Sequence, residues 1–131
     1  MKLLLDTHTL IWVVTNSSRL PDKIKSIVNN KNNIIYVSVA SLWEIEVKHL
    51  KKAELMPYDA KSILRCIECS DFELVDVKKE YISELKSIIS QNVHSDPFDH
   101  ILLSMAKKEA LTIVTHDSNI KEYKDVEILS Y

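Results

Sequence analysis

No glycine occurs among the 131 residues of this chain. That absence excludes a great deal. P-loops, dinucleotide fingerprints and other Gly-rich phosphate cradles depend on backbone conformations that only glycine adopts freely. Nucleotide-cofactor enzymes of those kinds are therefore out. The length fits one domain spanning residues 1–131, and 46% apolar with 27% charged residues is globular composition. The opening run Leu3-Leu4-Leu5 is stopped by Asp6, too soon for a signal core, and no small-residue cleavage site follows. The expectation is a cytoplasmic protein with no membrane span.

The chain carries 17 basic and 19 acidic residues, a net charge of −2. Proteins that grip nucleic acid through bulk charge are usually basic. Any such contact here must rest on a local patch. Arg19 and Arg65 are the two arginines, so lysines are the main candidates, acting as point charges and not as bidentate forks. Cys66 and Cys69 form a C-x-x-C with no second pair to complete a zinc site, and read as ordinary helix cysteines.

Short apolar runs alternate with amphipathic segments. Residues 3–5, 34–37, 72–77, 112–115 and 126–129 read as strands. Helices are expected after Pro21, from Ser41 to about Lys52, around Ala60–Ile67, through the stripe Tyr81, Ile82, Leu85, Ile88, Ile89, over 98–111, and briefly after Asp117. Residues 7–15 are apolar and β-branched and leave helix or strand open. The loop from Gln91 to Ser95 is polar. Strands separated by helices predict an α/β fold: a three-layer α/β/α sandwich with a mainly parallel central sheet.

In open α/β sheets, ligands bind outside the carboxyl ends of the strands. Asp6, Glu44, Asp99 and Asp117 all map to strand-to-helix junctions on that edge. Each has an ordinary reading as well. Asp6 and Asp117 could cap the helices that follow them. Ser41 to Glu44 fits a capping box, and Asp96 before Pro97 is a plausible helix cap with Asp99 favouring the positive helix end. Taken singly, capping is the commoner role. Taken together, adjoining junctions would bring several carboxylates to one cleft, where mutual repulsion raises their pKa values. A hard cation bound by oxygen relieves that repulsion, and Mg²⁺ or Mn²⁺ so held can activate water against a phosphodiester.

At these residues the chain resembles the PIN-domain family, and within it the VapC-type toxins of toxin–antitoxin pairs. Leu4-Leu5-Asp6-Thr7-His8-Thr9-Leu10-Ile11-Trp12 is similar to the family's opening block. Ser38-Val39-Ala40-Ser41-Leu42-Trp43-Glu44-Ile45, His94-Ser95-Asp96-Pro97-Phe98-Asp99 and Leu111-Thr112-Ile113-Val114-Thr115-His116-Asp117 resemble the next three, in family order. The resemblance implies that Asp6, Glu44, Asp99 and Asp117 bind the metal and carry catalysis. It implies that Asp96 lies just beyond the ligands and that Thr115 hydrogen-bonds within the site. It further implies a Mg²⁺ or Mn²⁺ cofactor, a homodimer, a small antitoxin partner and endonucleolytic cleavage of RNA. Two departures concern substrate contacts: His100 stands where the family often has Arg, and residues 47–52 lack the family's usual Gly.

Lys48, Lys51 and Lys52 are candidate RNA contacts, although a solvated helix end is an equal reading. The five histidines show no zinc-helix spacing. Trp12 and Trp43 are expected to pack in the core or at a dimer interface. Two other functions compete. One is an aspartate-nucleophile phosphatase, which would want an acid where His8 stands. The other is a degenerate PIN-like module that only binds RNA or protein.

Overall fold

The computed structural model describes residues 1–91, 96–120 and 122–131. Its elements, in chain order, are β1 (Lys2–Leu5), α1 (Thr7–Val14), α2 (Asp22–Asn29), β2 (Ile34–Ser38), α3 (Val39–Lys51), α4 (Ala60–Glu68), β3 (Glu73–Val75), α5 (Lys79–Ile89), α6 (Pro97–Glu109), β4 (Thr112–Thr115) and β5 (Glu127–Ser130). The five strands form one parallel sheet in the order β3-β2-β1-β4-β5. The predicted α/β sandwich is the observed one. Residues 7–15, left open by propensity, are helical. The polar loop after Gln91, with His94 and Ser95 of the third block, falls mostly outside the described residues.

Side chains alternate across a strand, so β1 supplies both cores. Leu3 and Leu5 join Ile35, Val37 and Val114 on one face, under α1, α2 and α4. Leu4 joins Ile113 on the other, under Tyr81 and Ile88 of α5 and the Ile101–Ala106 stretch of α6. Helix α3 packs against α1, α4 and α6 and so closes the gap between the two layers. Its Ala40 and Ile45 enter opposite cores.

Two local expectations are corrected and a third is narrowed. Helix α3 starts before Ser41: Ser38 caps it, accepting from Ala40 N at 3.0 Å. Glu44 therefore lies in the second turn, outside any capping box. Among the described residues no helix follows Asp117. Ile120 N donates to Asp117 O at 3.1 Å, closing a turn, and Ile120 itself is fully buried. Trp43, expected in the core or at a dimer interface, is 65% exposed, which rules out the core half of that expectation.

Candidate active site

Strand order decides which junctions meet. The chain leaves β1 toward β2 and β3 on one side, and resumes at β4 and β5 on the other. The crevice between β1 and β4 is thus a topological switch point, where parallel sheets open to ligands. Register places Leu5 beside Val114, so Asp6, just past the end of β1, comes level with Thr115, the last residue of β4.

Asp6 caps α1 and belongs to the crevice at once. Its Oδ1 accepts from Thr9 N at 2.8 Å, and its Oδ2 accepts from the Thr115 hydroxyl. Thr115 Oγ1 in turn accepts from Asp117 N at 2.9 Å. One buried hydroxyl therefore links the acids after β1 and after β4. Asp117 is half-buried and turns its Oδ1 to Asn119 N at 2.8 Å.

A second group forms where α3 meets α6. Glu44 Oε1 accepts from the Thr7 hydroxyl at 2.6 Å, while Oε2 is paired with the Lys48 ammonium one turn on. The Ser41 hydroxyl lies 3.1 Å from that of Thr7. Partial burial disfavours the charge on Lys48. The bond to Glu44, and the charges of Glu44, Asp96 and Asp99 around it, outweigh that and hold its pKa above the ordinary lysine value. Lys48 is therefore the local counter-charge of the acids and does not belong with the surface patch; Lys51 and Lys52 are exposed at the end of α3. Asp96 caps α6, accepting from Phe98 N at 2.9 Å, and Asp99 sits in the first turn of that helix. Thr7, next to Asp6 in sequence and bonded to Glu44, joins the two groups.

Asp6, Glu44 and Asp99 are only 4%, 2% and 8% exposed. Among the described residues, however, no three His, Cys, Asp or Glu side chains stand close enough to hold a metal ion between them. The donor set suits a hard divalent cation, since every one of the four acids offers oxygen. Their spacing is that of acids gathered around Lys48 and Thr115.

Residues outside the sequence-derived set complete the surroundings. Trp43 and Phe98, each one position before an acid, meet edge to face with ring centroids 5.0 Å apart and tie α3 to α6. Trp12, half-buried, packs against His116 at 5.3 Å and Tyr131 at 6.4 Å. Burial, aided by the Asp6 charge and opposed by the bond to Thr9, pushes the Tyr131 phenol up to about 12. Lys48 is among the RNA contacts expected from sequence; its pairing with Glu44 was findable from the i,i+4 spacing. Nothing in the sequence marks Tyr131.

The PIN domain family matches residues 3–126. The chain belongs to that family. As a PIN domain it is similar in fold to VapBC2 from Rickettsia felis bound to a DNA fragment from their promoter, at 23% identity and a TM-score of 0.70, over 99% of this chain and 98% of that one. DNA-bound VapBC from Salmonella typhimurium gives 20% identity, a TM-score of 0.72 and the same coverage, 99% and 98%. VapBC-5 from Mycobacterium tuberculosis, a member of the VapBC family of toxin–antitoxin systems, gives 17% and 0.63, again over 99% and 98%. No curated protein matches the chain. No helix among the described residues of this PIN domain is long and apolar enough to cross a membrane.

Proposed function

We propose that this PIN domain is a metal-dependent endoribonuclease, the toxin of a toxin–antitoxin pair, working as a homodimer in the cytoplasm and neutralised by a small antitoxin protein. The observation that carries the reading is the burial of Asp6, Glu44 and Asp99 at the carboxyl edge of the sheet, with Asp117 beside Asp6. Buried carboxylates cost stability and are kept where a cation or a reaction uses them. Asp6, Glu44, Asp99 and Asp117 are the groups that would hold Mg²⁺ or Mn²⁺. Such a cation, when bound, lowers the pKa of water and offsets charge on a phosphate. The protein's own part is positional. Thr115 and the Thr9 amide orient Asp6, Thr7 orients Glu44, the start of α6 favours charge on Asp99, and Lys48 offers a positive charge close to an incoming phosphate. Hydrolysis with departure of the 3′ oxygen leaves a 5′ phosphate and a 3′ hydroxyl.

The test is incubation of structured and unstructured RNAs with the protein in Mg²⁺, Mn²⁺ or chelator. Cleavage is expected with either metal, none with chelator, and a loss of at least about 100-fold in Asp99→Asn, whose circular dichroism stays that of the wild type. Full activity in Asp99→Asn would sink the assignment. A binding-only module is favoured by one observation, the lack of a ready three-carboxylate cage among the described residues. Tight RNA binding without cleavage in any metal would decide for it.

A further inference from the structure

Beyond the acids, the switch-point crevice widens into a cleft of about 620 Å³ lined by Asp6, His8, Trp12, Arg19, His116 and Asp117. Two of these are acids of the candidate site. The remaining four have no part in it. Three are flat rings and one is a guanidinium on the exposed segment after α1. Trp12 is flanked by His116 at 5.3 Å and by His8 at 6.1 Å.

This wall is built, not incidental. His116 Nδ1 lies 2.7 Å from Tyr131 O. That backbone oxygen only accepts, so Nδ1 is the donor and the ring is held in place by it. Tyr131 N donates to Thr115 O at 3.2 Å. The Tyr131 hydroxyl is 2.8 Å from Thr9 Oγ1, which lies 3.2 Å from Val114 O, so the two hydroxyls share one hydrogen-bond chain to the end of β4. The rings are thereby anchored to the strand end that positions Asp6 and Asp117.

We infer that this cleft is a nucleotide subsite: one unpaired base of a single-stranded RNA lies against Trp12 and its flanking imidazoles, Arg19 takes an adjoining phosphate, and the next phosphate falls beside Asp6 and Asp117. The inference rests on the nuclease reading of those acids and extends it to substrate form. Ring faces favour bases of any sequence but only when unstacked, which an A-form duplex does not offer. A guanidinium forks to two phosphate oxygens where a lysine cannot. A cleft that pairs rings and an arginine with a reactive acid edge suits a nucleotide better than an apolar protein segment.

Trp12 and Trp43 are the two tryptophans, so Trp43→Phe leaves Trp12 as the only indole emitter. This variant is titrated, in chelator, with a random-sequence single-stranded RNA pentamer and with a duplex RNA of matching length. The pentamer should quench Trp12 saturably and the duplex should not. Arg19→Gln should weaken pentamer binding by about three- to tenfold and flatten its salt dependence. Trp12→Ala should weaken it by about fivefold or more, and Trp12→Phe, which keeps a ring, by less. Pentamer binding detected by anisotropy with unchanged Trp12 emission would overturn the subsite. So would no pentamer binding at all, equal quenching by the duplex, or an Arg19→Gln protein with wild-type affinity and salt slope. The two readings fail separately. Quenching without metal-dependent cleavage keeps the subsite and removes the nuclease. Cleavage with a silent Trp12 and an unchanged KM in Arg19→Gln does the reverse.

Discussion

Glu44 shows what keeps a carboxylate inside a fold. It has almost no contact with solvent, yet both oxygens are met, one by Thr7 and one by Lys48. Removing the cation leaves the acid buried with one partner. Lys48→Met should therefore lose about 1–3 kcal/mol in urea unfolding, at the lower part of the usual range because the lysine head is half in water. Adding Glu44→Gln should restore at least half of that loss, since a neutral amide needs no counter-charge. Additive losses in the double variant would show that the pair is not coupled. The acids themselves were legible in sequence only as helix-start residues. Asp6 is one, and a crevice residue too, because its two oxygens face different partners. Glu44 is not one, because the helix begins three residues earlier than its Ser41 suggested.

Where one element hands over to the next, the lack of glycine has a visible consequence. Helix α6 ends in a turn with Ala110 at φ 53°, while Leu111 N and Ala110 N both reach back to Ala106 O. Glycine is the usual residue at such a left-handed stop, because a Cβ crowds the following carbonyl. Ala110→Gly should stabilise the protein by about 0.5–1 kcal/mol, net of the extra freedom it gives the unfolded chain. Calorimetry should find the midpoint raised by about 2–4 °C. An unchanged or lowered midpoint would mean that the turn tolerates the Cβ without strain. Element types were largely readable from periodicity. Their ends were not: two serines compete to cap α3, and the side chain that wins is the one whose backbone is already extended at the strand end.

The assembled molecule joins neighbouring helices of one layer by charge as well as by apolar packing. Glu84 of α5 meets Lys107 and Lys108 of α6, each at 3.1 Å. Bonds from Lys108, Lys107 and Ser87 hold its carboxyl down, from an ordinary 4.5 to about 2. A carboxylate whose pKa falls on folding contributes stability above its unfolded value and loses it as pH drops through the folded one. The contribution of Glu84 is thus full above about pH 4.5 and fades toward pH 2. Glu84→Gln should lower the melting temperature at pH 6 and flatten its fall between those two pH values. Parallel curves for the two proteins in that window would refute the tie. Both partners were plain in the sequence as surface charges, but their pairing needs α5 and α6 to lie side by side.

Asp6, Asp117 and Trp12 draw the line between what the chain alone decided and what folding added. Local composition was enough for the alternation of strand and helix, for the parallel sandwich, and for four acids at strand ends, because periodicity and junction chemistry are short-range properties. The blocks around those acids were enough to point to the PIN family. Strand order was not legible, since nothing local says that β4 lies against β1. That order, set by long-range packing on both faces of the sheet, is what brings Asp6 to Thr115 and Asp117. The same order carries Tyr131 from the far end of the chain to Trp12 and His116. Contacts between residues more than a hundred positions apart exist only once the sheet is complete.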